Sequence, residues 1–152
     1  MSKKFYIATD HAGYAIKAYV KEIMTDLGHT VIDLGPDSAD RVDYPDYAKK
    51  CAHAVLEDNG SFGILICGTG IGISISANKV AGIRAALCHD NYTAKLTRLH
   101  NDANILCFGE RVVGKGVIAD MLETFANTEF EGGRHAGRIA KIEGCTLGAD
   151  LG

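Results

Sequence analysis

A cysteine followed by alternating glycines is the part of this sequence best suited to chemistry. The apolar run Ile64–Ile66 ends at Cys67, the loop Gly68–Gly72 has glycine at every second position, and a helical pattern begins at Ile71. A strand that breaks into glycines before a helix directs several backbone N–H groups, and the positive end of the helix dipole, at one point. A thiol beside such a nest lies where its thiolate is favoured. We therefore interpret Cys67 as a base or nucleophile that faces an oxyanion held by the loop.

The same pattern has a simpler interpretation, because glycine-rich turns after strands are common and a free cysteine is often simply buried. The glycines read G-x-G-x-G, whereas the dinucleotide-binding fingerprint is G-x-G-x-x-G after the first strand. No Gly-Lys-Ser/Thr follows, which excludes a P-loop. The loop alone therefore leaves a packing cysteine and a catalytic cysteine as open alternatives.

Further polar residues stand at predicted loop and helix-end positions: Asp10, His11, His100, Asn101, Arg111, Arg134 and Arg138. Each has an ordinary structural interpretation when it is taken alone. Asp10 can cap a helix, His100 can suit a helix C-terminus, and arginines four residues apart can form a solvated helix face.

Taken together, these residues could carry out one reaction. Arginines and a histidine can bind a phosphate dianion through charge-assisted bonds, and a glycine nest can stabilise an oxyanion. A thiolate can remove a carbon-bound proton, while a histidine can transfer a hydroxyl proton near neutral pH. These are the requirements of aldose–ketose isomerisation through an enediolate. The reaction needs no metal, and the His and Asp residues show no compact ligand spacing, so we predict neither a metal site nor a cofactor.

The composition is typical of one globular domain with no strongly charged surface. The chain has 152 residues, 47% of them hydrophobic, and a formal net charge of −3, so no general basic field attracts nucleic acid. We predict one domain over residues 1–152, with a peripheral C-terminal tail from about residue 143. The five cysteines include no C-x-x-C pair, which is typical of a reducing compartment. Because no apolar run resembles a signal peptide or a membrane span, we predict a cytoplasmic protein without membrane partners.

Five short apolar runs alternate with segments of helical spacing. The predicted strands are Phe5–Ala8, Thr30–Leu34, Gly63–Cys67, Gly82–Cys88 and Asn104–Gly109, and the predicted last helix is Arg134–Ile142. Such alternation predicts an α/β fold, a three-layer sandwich with one five-stranded parallel sheet of the flavodoxin or Rossmann type. The strand order 2-1-3-4-5 is the leading choice for five strands. That order brings Asp10, His11 and Cys67 to the same crevice.

Several motifs resemble those of one enzyme family, and they occur in order along nearly the whole chain. They are Asp10–Gly13, Asp43–Pro45, Gly63–Gly72, Ala77–Lys79, Ala81–Ala85, His100–Asn104, Phe108–Arg111 and Glu131–His135. On these motifs the chain resembles ribose-5-phosphate isomerase of type B, in the family that includes galactose-6-phosphate isomerase subunits. One branch of that family has a glutamate base at the position that here is Ile73. The resemblance therefore indicates the cysteine branch.

The resemblance also implies a role for each matching position. It implies that Cys67 shuttles a proton between C1 and C2 and that His100 opens the furanose ring. The loop Gly68, Thr69, Gly70, Ile71 and Gly72 would bind the enediolate oxygens. Asp10 would contact a sugar hydroxyl, and the phosphate would be held by His11, Arg134 and Arg138, with Asn101 and Arg111 as further contacts.

Members of this family are homodimers or tetramers whose sites take residues from two subunits, so the resemblance implies a homo-oligomer with a phosphorylated sugar as substrate. The leading expectation is interconversion of ribose 5-phosphate and ribulose 5-phosphate, in the pentose phosphate pathway. An isomerase of a six-carbon sugar phosphate, such as allose or galactose 6-phosphate, is an alternative. A non-catalytic phosphate- or nucleotide-binding module of the same fold is a third possibility, although such a module needs none of Cys67, Thr69 and His100.

Overall fold

The computed structural model describes residues 1–146, with side chains as far as residue 144. Five strands alternate with helices: β1 (Lys4–Thr9), α1 (Tyr14–Asp26), β2 (Thr30–Asp33), α2 (Tyr44–Glu57), β3 (Phe62–Cys67), α3 (Ile71–Asn78), β4 (Ala85–Leu87), α4 (Asn91–Asn101), β5 (Ile105–Gly109), α5 (Lys115–Asn127) and α6 (Arg134–Thr146). All of the strand pairings are parallel. The predicted α/β class and its five parallel strands are therefore confirmed.

The order of the last two strands differs from the prediction. The sheet runs β2-β1-β3-β5-β4, so the predicted order 2-1-3-4-5 is wrong at its end. All five residues of β5 are buried, whereas the three residues of β4 are each partly exposed. β5, the longer and more apolar strand, has a neighbouring strand on each side, whereas the short β4 forms the edge of the sheet. A central strand has more of its surface buried, so the more apolar strand is stable there.

Helices cover both faces of the sheet and divide the core into two parts. One part joins β-strand residues such as Ile64 and Ile66 to buried residues of α1, α4 and α5. The other part joins Leu65 and Cys67 to buried residues of α2 and α3. Successive residues of β3 thus point to opposite faces, and Cys67 points to the face that α2 and α3 cover.

The last helix is longer than predicted. It runs to Thr146 rather than ending at Ile142, and Glu143 forms an ion pair with Arg84 at 2.6 Å. The remainder of the predicted tail, residues 147–152, lies outside the described residues. Among the helices of the described part, none combines the length and the apolar composition that crossing a bilayer requires.

The observed strand order predicts unequal effects of the same truncation in β5 and β4. Leu106 is fully buried between Ile64 and Ala86 of the neighbouring strands, so Leu106→Ala should lower the free energy of unfolding by about 2–5 kcal/mol. The matched change Leu87→Ala, on the partly exposed edge strand, should cost only about 1 kcal/mol. Urea unfolding measures both values. Equal losses would contradict the edge position of β4.

Candidate active site

A cavity of about 470 Å³ opens at the carboxyl edge of the sheet, where β1 and β3 end. It is lined by Asp10, His11, Ala12, Tyr44, Cys67, Gly68, Thr69, Ile71, Gly72, Ile75 and Arg111. Eight of these were predicted from the sequence as site residues. Ligands of open α/β sheets bind at this edge, where neighbouring loops diverge, so the cavity lies where the fold favours a binding site.

Cys67 is the last residue of β3, and its side chain is 4% exposed. The backbone N–H of Gly70 donates a hydrogen bond to its Sγ at 3.2 Å. The helix α3 begins at Ile71, the residue after Gly70, so the sulfur lies at the N-terminal end of that helix. The fold therefore turns a backbone donor and a helix dipole toward the thiol, as the glycine pattern predicted.

The turn between β3 and α3 requires its glycines for physical reasons. Gly70 has a φ of +78°, and a Cβ there would lie 2.6 Å from the backbone carbon of Phe108. A Cβ on Gly109, the residue paired with Cys67, would lie 2.5 Å from the carbonyl carbon of Thr69. The glycine loop thus lies directly against the end of β5. Any side chain larger than hydrogen at position 70 or 109 would push the loop and the strand apart.

The other described cysteines have a different environment. Burial raises the pKa of Cys51 to about 12 and that of Cys88 to about 11, and it raises the pKa of Cys107 well above its ordinary value. None of these three lines the cavity. These three are therefore packing cysteines.

Asp10 and His11 follow β1 and are held by the backbone around them. The Asp10 carboxylate accepts a hydrogen bond from the N–H of Gly13 at 3.0 Å, just before α1 begins. Nδ1 of His11 lies 3.2 Å from the carbonyl oxygen of Val42, in the segment that leads to α2. Because Nδ1 is engaged there, Nε2 is the nitrogen that His11 can offer to a ligand in the cavity.

Arg111 brings a positive charge to the glycine loop. Its backbone N–H donates to the carbonyl oxygen of Gly68 at 3.0 Å, and the N–H of Glu110 donates to that of Cys67, also at 3.0 Å. Its guanidinium lies against Gly68, where an added Cβ would be 3.1 Å from Nη1. The segment that follows β5 is therefore hydrogen-bonded to the glycine loop. It places the Arg111 guanidinium beside the backbone N–H groups of that loop.

Tyr44 and Ile75 line the cavity, but the sequence did not indicate a role for them. The ring of Tyr44 lies so close to Gly72 that a Cβ on that glycine would be 2.6 Å from two of its carbons. The motif Asp43–Pro45 was visible in the sequence, where Pro45 indicated a helix start. Nothing in that pattern showed that the tyrosine ring would cover the glycine loop.

Gly70 lies in the glycine loop beside the cavity, and the other four predicted residues lie on α4 and α6. The helix α4 returns from the carboxyl edge of the sheet toward the amino edge, and its 11 residues span roughly 16 Å. His100 and Asn101 are the last residues of this helix, and Arg134 and Arg138 lie on α6, which contacts α4. Among the side chains that the structure describes, none from α4 or α6 lines the cavity. Within one chain, the predicted site residues therefore form two groups. One group lies at the carboxyl edge of the sheet with Cys67, and the other lies at the amino edge with His100.

Two arginines hold the end of α4. The guanidinium of Arg84 donates to the carbonyl oxygens of Asn101 and Asp102, each at 2.9 Å. Nη1 of Arg98 lies 2.8 Å from the Asp102 carboxylate, and the backbone of Asp102 is left-handed, with a φ of 45°. These contacts orient His100 and Asn101. The sequence did not indicate this role for Arg84, which was recognised only as part of a motif.

His100 lies against two residues that also had no predicted role. Its ring stacks on that of His135, with centroids 4.3 Å apart and planes inclined by 16°. Its Nε2 is 4.0 Å from the carboxylate of Glu131, whose backbone N–H donates to the carbonyl oxygen of Leu99 at 3.0 Å. The segment before α6 is thereby attached to the end of α4.

Comparison with known proteins identifies the family to which this chain belongs. A family model described as Ribose/Galactose Isomerase matches residues 5–142. The chain belongs to this family. Ribose-5-phosphate isomerase B of Escherichia coli (strain K12) is 46% identical over 140 residues, which cover 92% of this chain and 94% of that protein. A relative from Bacillus subtilis (strain 168) is 54% identical over 140 residues, with 91% and 94% covered.

Solved structures agree with the family assignment. The structure of ribose-5-phosphate isomerase B of Clostridium thermocellum has a TM-score of 0.93 and 48% identity, and the match covers 95% of this chain and 98% of that one. The type B ribose 5-phosphate isomerase of Trypanosoma brucei has a TM-score of 0.92 and 45% identity, with 95% and 99% covered. The resemblance inferred from the motifs is therefore confirmed at the level of family and fold.

The contrast among the cysteines predicts selective alkylation. At pH 7 a thiol with a pKa of about 12 is ionised to only about one part in 10⁵, so Cys51 should not react with iodoacetamide in the folded protein. Cys67, at the cavity and bonded to the N–H of Gly70, should react first among the four thiols that the structure describes. Peptide mapping by mass spectrometry after timed labelling measures this order. Labelling of Cys51 or Cys107 as fast as Cys67 would contradict it.

Proposed function

We propose that this protein interconverts ribose 5-phosphate and ribulose 5-phosphate through an enediolate, with Cys67 as the base. The observation that supports this most directly is the hydrogen bond from the Gly70 N–H to Cys67 Sγ, inside a cavity that Arg111 also lines. The sulfur of the proposed base therefore lies against the glycine loop, whose other N–H groups we propose as donors to an oxyanion. Membership of the isomerase family supports the same reaction.

The proposed reaction uses two proton transfers at carbon. His100 first assists transfer of the C1 hydroxyl proton to the ring oxygen, and the bond from C1 to the ring oxygen breaks, so that the furanose opens to the aldehyde. Cys67 then removes the proton from C2, and the electron pair moves toward the carbonyl oxygen at C1. The N–H groups of Gly68–Gly72 and the Thr69 hydroxyl stabilise the enediolate oxygens that carry the developing charge. Return of the proton from Cys67 to C1, with a proton shift between the oxygens, yields the ketose.

The phosphate would bind at the other end of the sugar. We propose that His11 contacts it from the cavity, together with Arg134 and Arg138 of a second subunit. Asp10 would bind a sugar hydroxyl, and Asn101 and Arg111 would supply further contacts. Guanidinium groups suit this task because they bind phosphate oxygens in pairs and stay charged at every relevant pH.

The second subunit is needed because of how the helices run. Within the described chain, His100 lies about one helix length from the edge of the sheet that carries Cys67. A homodimer in which the amino edge of one chain faces the carboxyl edge of its partner would unite the two groups and form two equal sites. We propose such a homodimer, or a tetramer built from it.

Exposed apolar side chains at the cavity support this assembly. Ile71 is 51% exposed, Ile75 is 56% exposed and Tyr44 is 40% exposed, and all three line the cavity. Apolar side chains grouped beside a polar cavity are a common mark of a surface that another protein covers. A partner seated there would also shield the enediolate from water.

Isotope exchange tests the proposed chemistry directly. Ribose 5-phosphate incubated with the protein in deuterated water should gain deuterium at C2 of the recovered aldose and at C1 of the ketose, as followed by proton NMR. Cys67→Ala should lose both exchange and turnover by a factor of at least about 10²–10⁴, since its base is gone, while the fold remains intact by circular dichroism. Cys88→Ala, which changes a buried cysteine outside the cavity, is the matched control. Near wild-type exchange in Cys67→Ala would remove Cys67 from the mechanism.

Complementation between inactive variants tests the shared site. Cys67→Ala and His100→Ala chains, each inactive alone, should recover about a quarter of the wild-type rate when they are co-expressed. Half of the dimers would then be mixed, and each mixed dimer would have one intact site. Co-expression of Cys67→Ala with Thr69→Ala, which alters the same half of the site, should recover nothing. Recovery in neither pair would contradict a site built from two subunits.

The sugar length is the remaining choice within the family, whose description names both ribose and galactose. The ratio of kcat/KM for ribose 5-phosphate to that for allose or galactose 6-phosphate decides it, and we expect the five-carbon substrate to be preferred.

We also propose that the protein works in the cytoplasm. The four unpaired thiols among the described residues support this, because reduced cysteines are usual in that compartment.

A further inference from the structure

Three potential metal ligands meet at the end of α4: His100, Glu131 and His135. Each offers one ligand atom, and these atoms all lie within 4.8 Å of one another. Glu131 and His135 are four residues apart, but His100 precedes them by 31 residues, so the sequence did not indicate that the three would meet. They come together because the N–H of Glu131 is bonded to the carbonyl oxygen of Leu99, at the last turn of α4.

His135 carries the observation that points to a ligand. Its side chain is 4% exposed, and its Nε2 is buried without a hydrogen-bond partner in the described part of the chain. The nearest carboxylate oxygen, on Glu131, is 3.9 Å away, beyond hydrogen-bond distance. A buried polar nitrogen without a partner costs free energy, so this nitrogen lies where a bound ligand would stabilise the structure.

We infer that His100, Glu131 and His135 form a binding site for a divalent transition-metal ion, with Zn²⁺ as the ion that matches it best. Two imidazoles and one carboxylate are a donor set that zinc accepts, whereas Mg²⁺ and Ca²⁺ prefer oxygen ligands throughout. Tetrahedral zinc sites hold their ligand atoms about 3.4 Å apart, so the cluster must contract by about 1 Å. The rings of His100 and His135 are stacked nearly parallel, so the His100 ring must also rotate out of the stack for both nitrogens to face one ion. The side chains of His100, 35% exposed, and Glu131, 47% exposed, can make these rotations, whereas that of His135 is buried.

The consequence for catalysis rests on the proposed function. A metal on the nitrogen of His100 removes the lone pair that would transfer a proton during ring opening. Zn²⁺ at this site would therefore inhibit the isomerase, although it touches neither Cys67 nor the glycine loop.

Calorimetric titration of the metal-free full-length protein with Zn²⁺ tests the site. We expect one ion per chain, a shift of the ring resonances of both His100 and His135 in NMR spectra, and binding that persists in Cys67→Ala. Glu131→Gln, a change at an exposed position that leaves the fold intact, should weaken binding by about 10–100-fold. Glu129→Gln, at a 77% exposed acid nearby, is the matched control and should not. Binding that Cys67→Ala abolishes, or that Glu131→Gln leaves unchanged, would overturn the site.

Inhibition is measured separately on the same variants. The Zn²⁺ concentration that halves the rate should rise in Glu131→Gln by the same factor as the dissociation constant. Equal inhibition of the wild type and Glu131→Gln would refute the inhibitory role. A protein that binds Zn²⁺ as described but never isomerises ribose 5-phosphate would instead refute the proposed function and leave the metal site standing.

Discussion

The close contact between the glycine loop and the end of β5 is the constraint on which the site depends. Gly70 in its left-handed conformation and Gly109 beneath Thr69 allow the backbone to pass from strand to helix within a few residues. That tight turn is what brings the Gly70 N–H to Cys67 Sγ. A looser turn would separate the loop from the end of β5 and lose that hydrogen bond to the sulfur.

The direction of the helices is the second constraint. In a parallel sheet each helix returns the chain to the amino edge, so residues at the end of a helix and residues at the end of a strand lie at opposite edges. Cys67 and Arg111 are at strand ends, whereas His100 and Asn101 are at a helix end. A single chain therefore keeps the two groups apart, and the proposed two-fold assembly is the simplest arrangement that would bring both to one sugar.

Side chains from several segments hold the end of α4, which suits the role proposed for His100 in a neighbouring subunit's site. Arg84 and Arg98 bind its last carbonyl groups and the Asp102 carboxylate, and Glu131 and His135 surround the ring of His100. The same crowding that orients His100 places a second imidazole and a carboxylate beside it. The residue proposed for proton transfer is therefore also a candidate metal ligand.

The sequence alone determined the α/β class, the glycine turn and the identity of the family, because those depend on local patterns: apolar runs, alternating glycines and ordered motifs. It also indicated which residues could carry chemistry, including Cys67 and His100. It could not determine the order of β4 and β5, since burial of a strand depends on what packs beside it. Nor could it show that Tyr44 covers Gly72, or that Glu131 and His135 meet His100. Those contacts join segments distant in the chain, and only the packing of α4, α6 and the loops around them decides which side chains become neighbours.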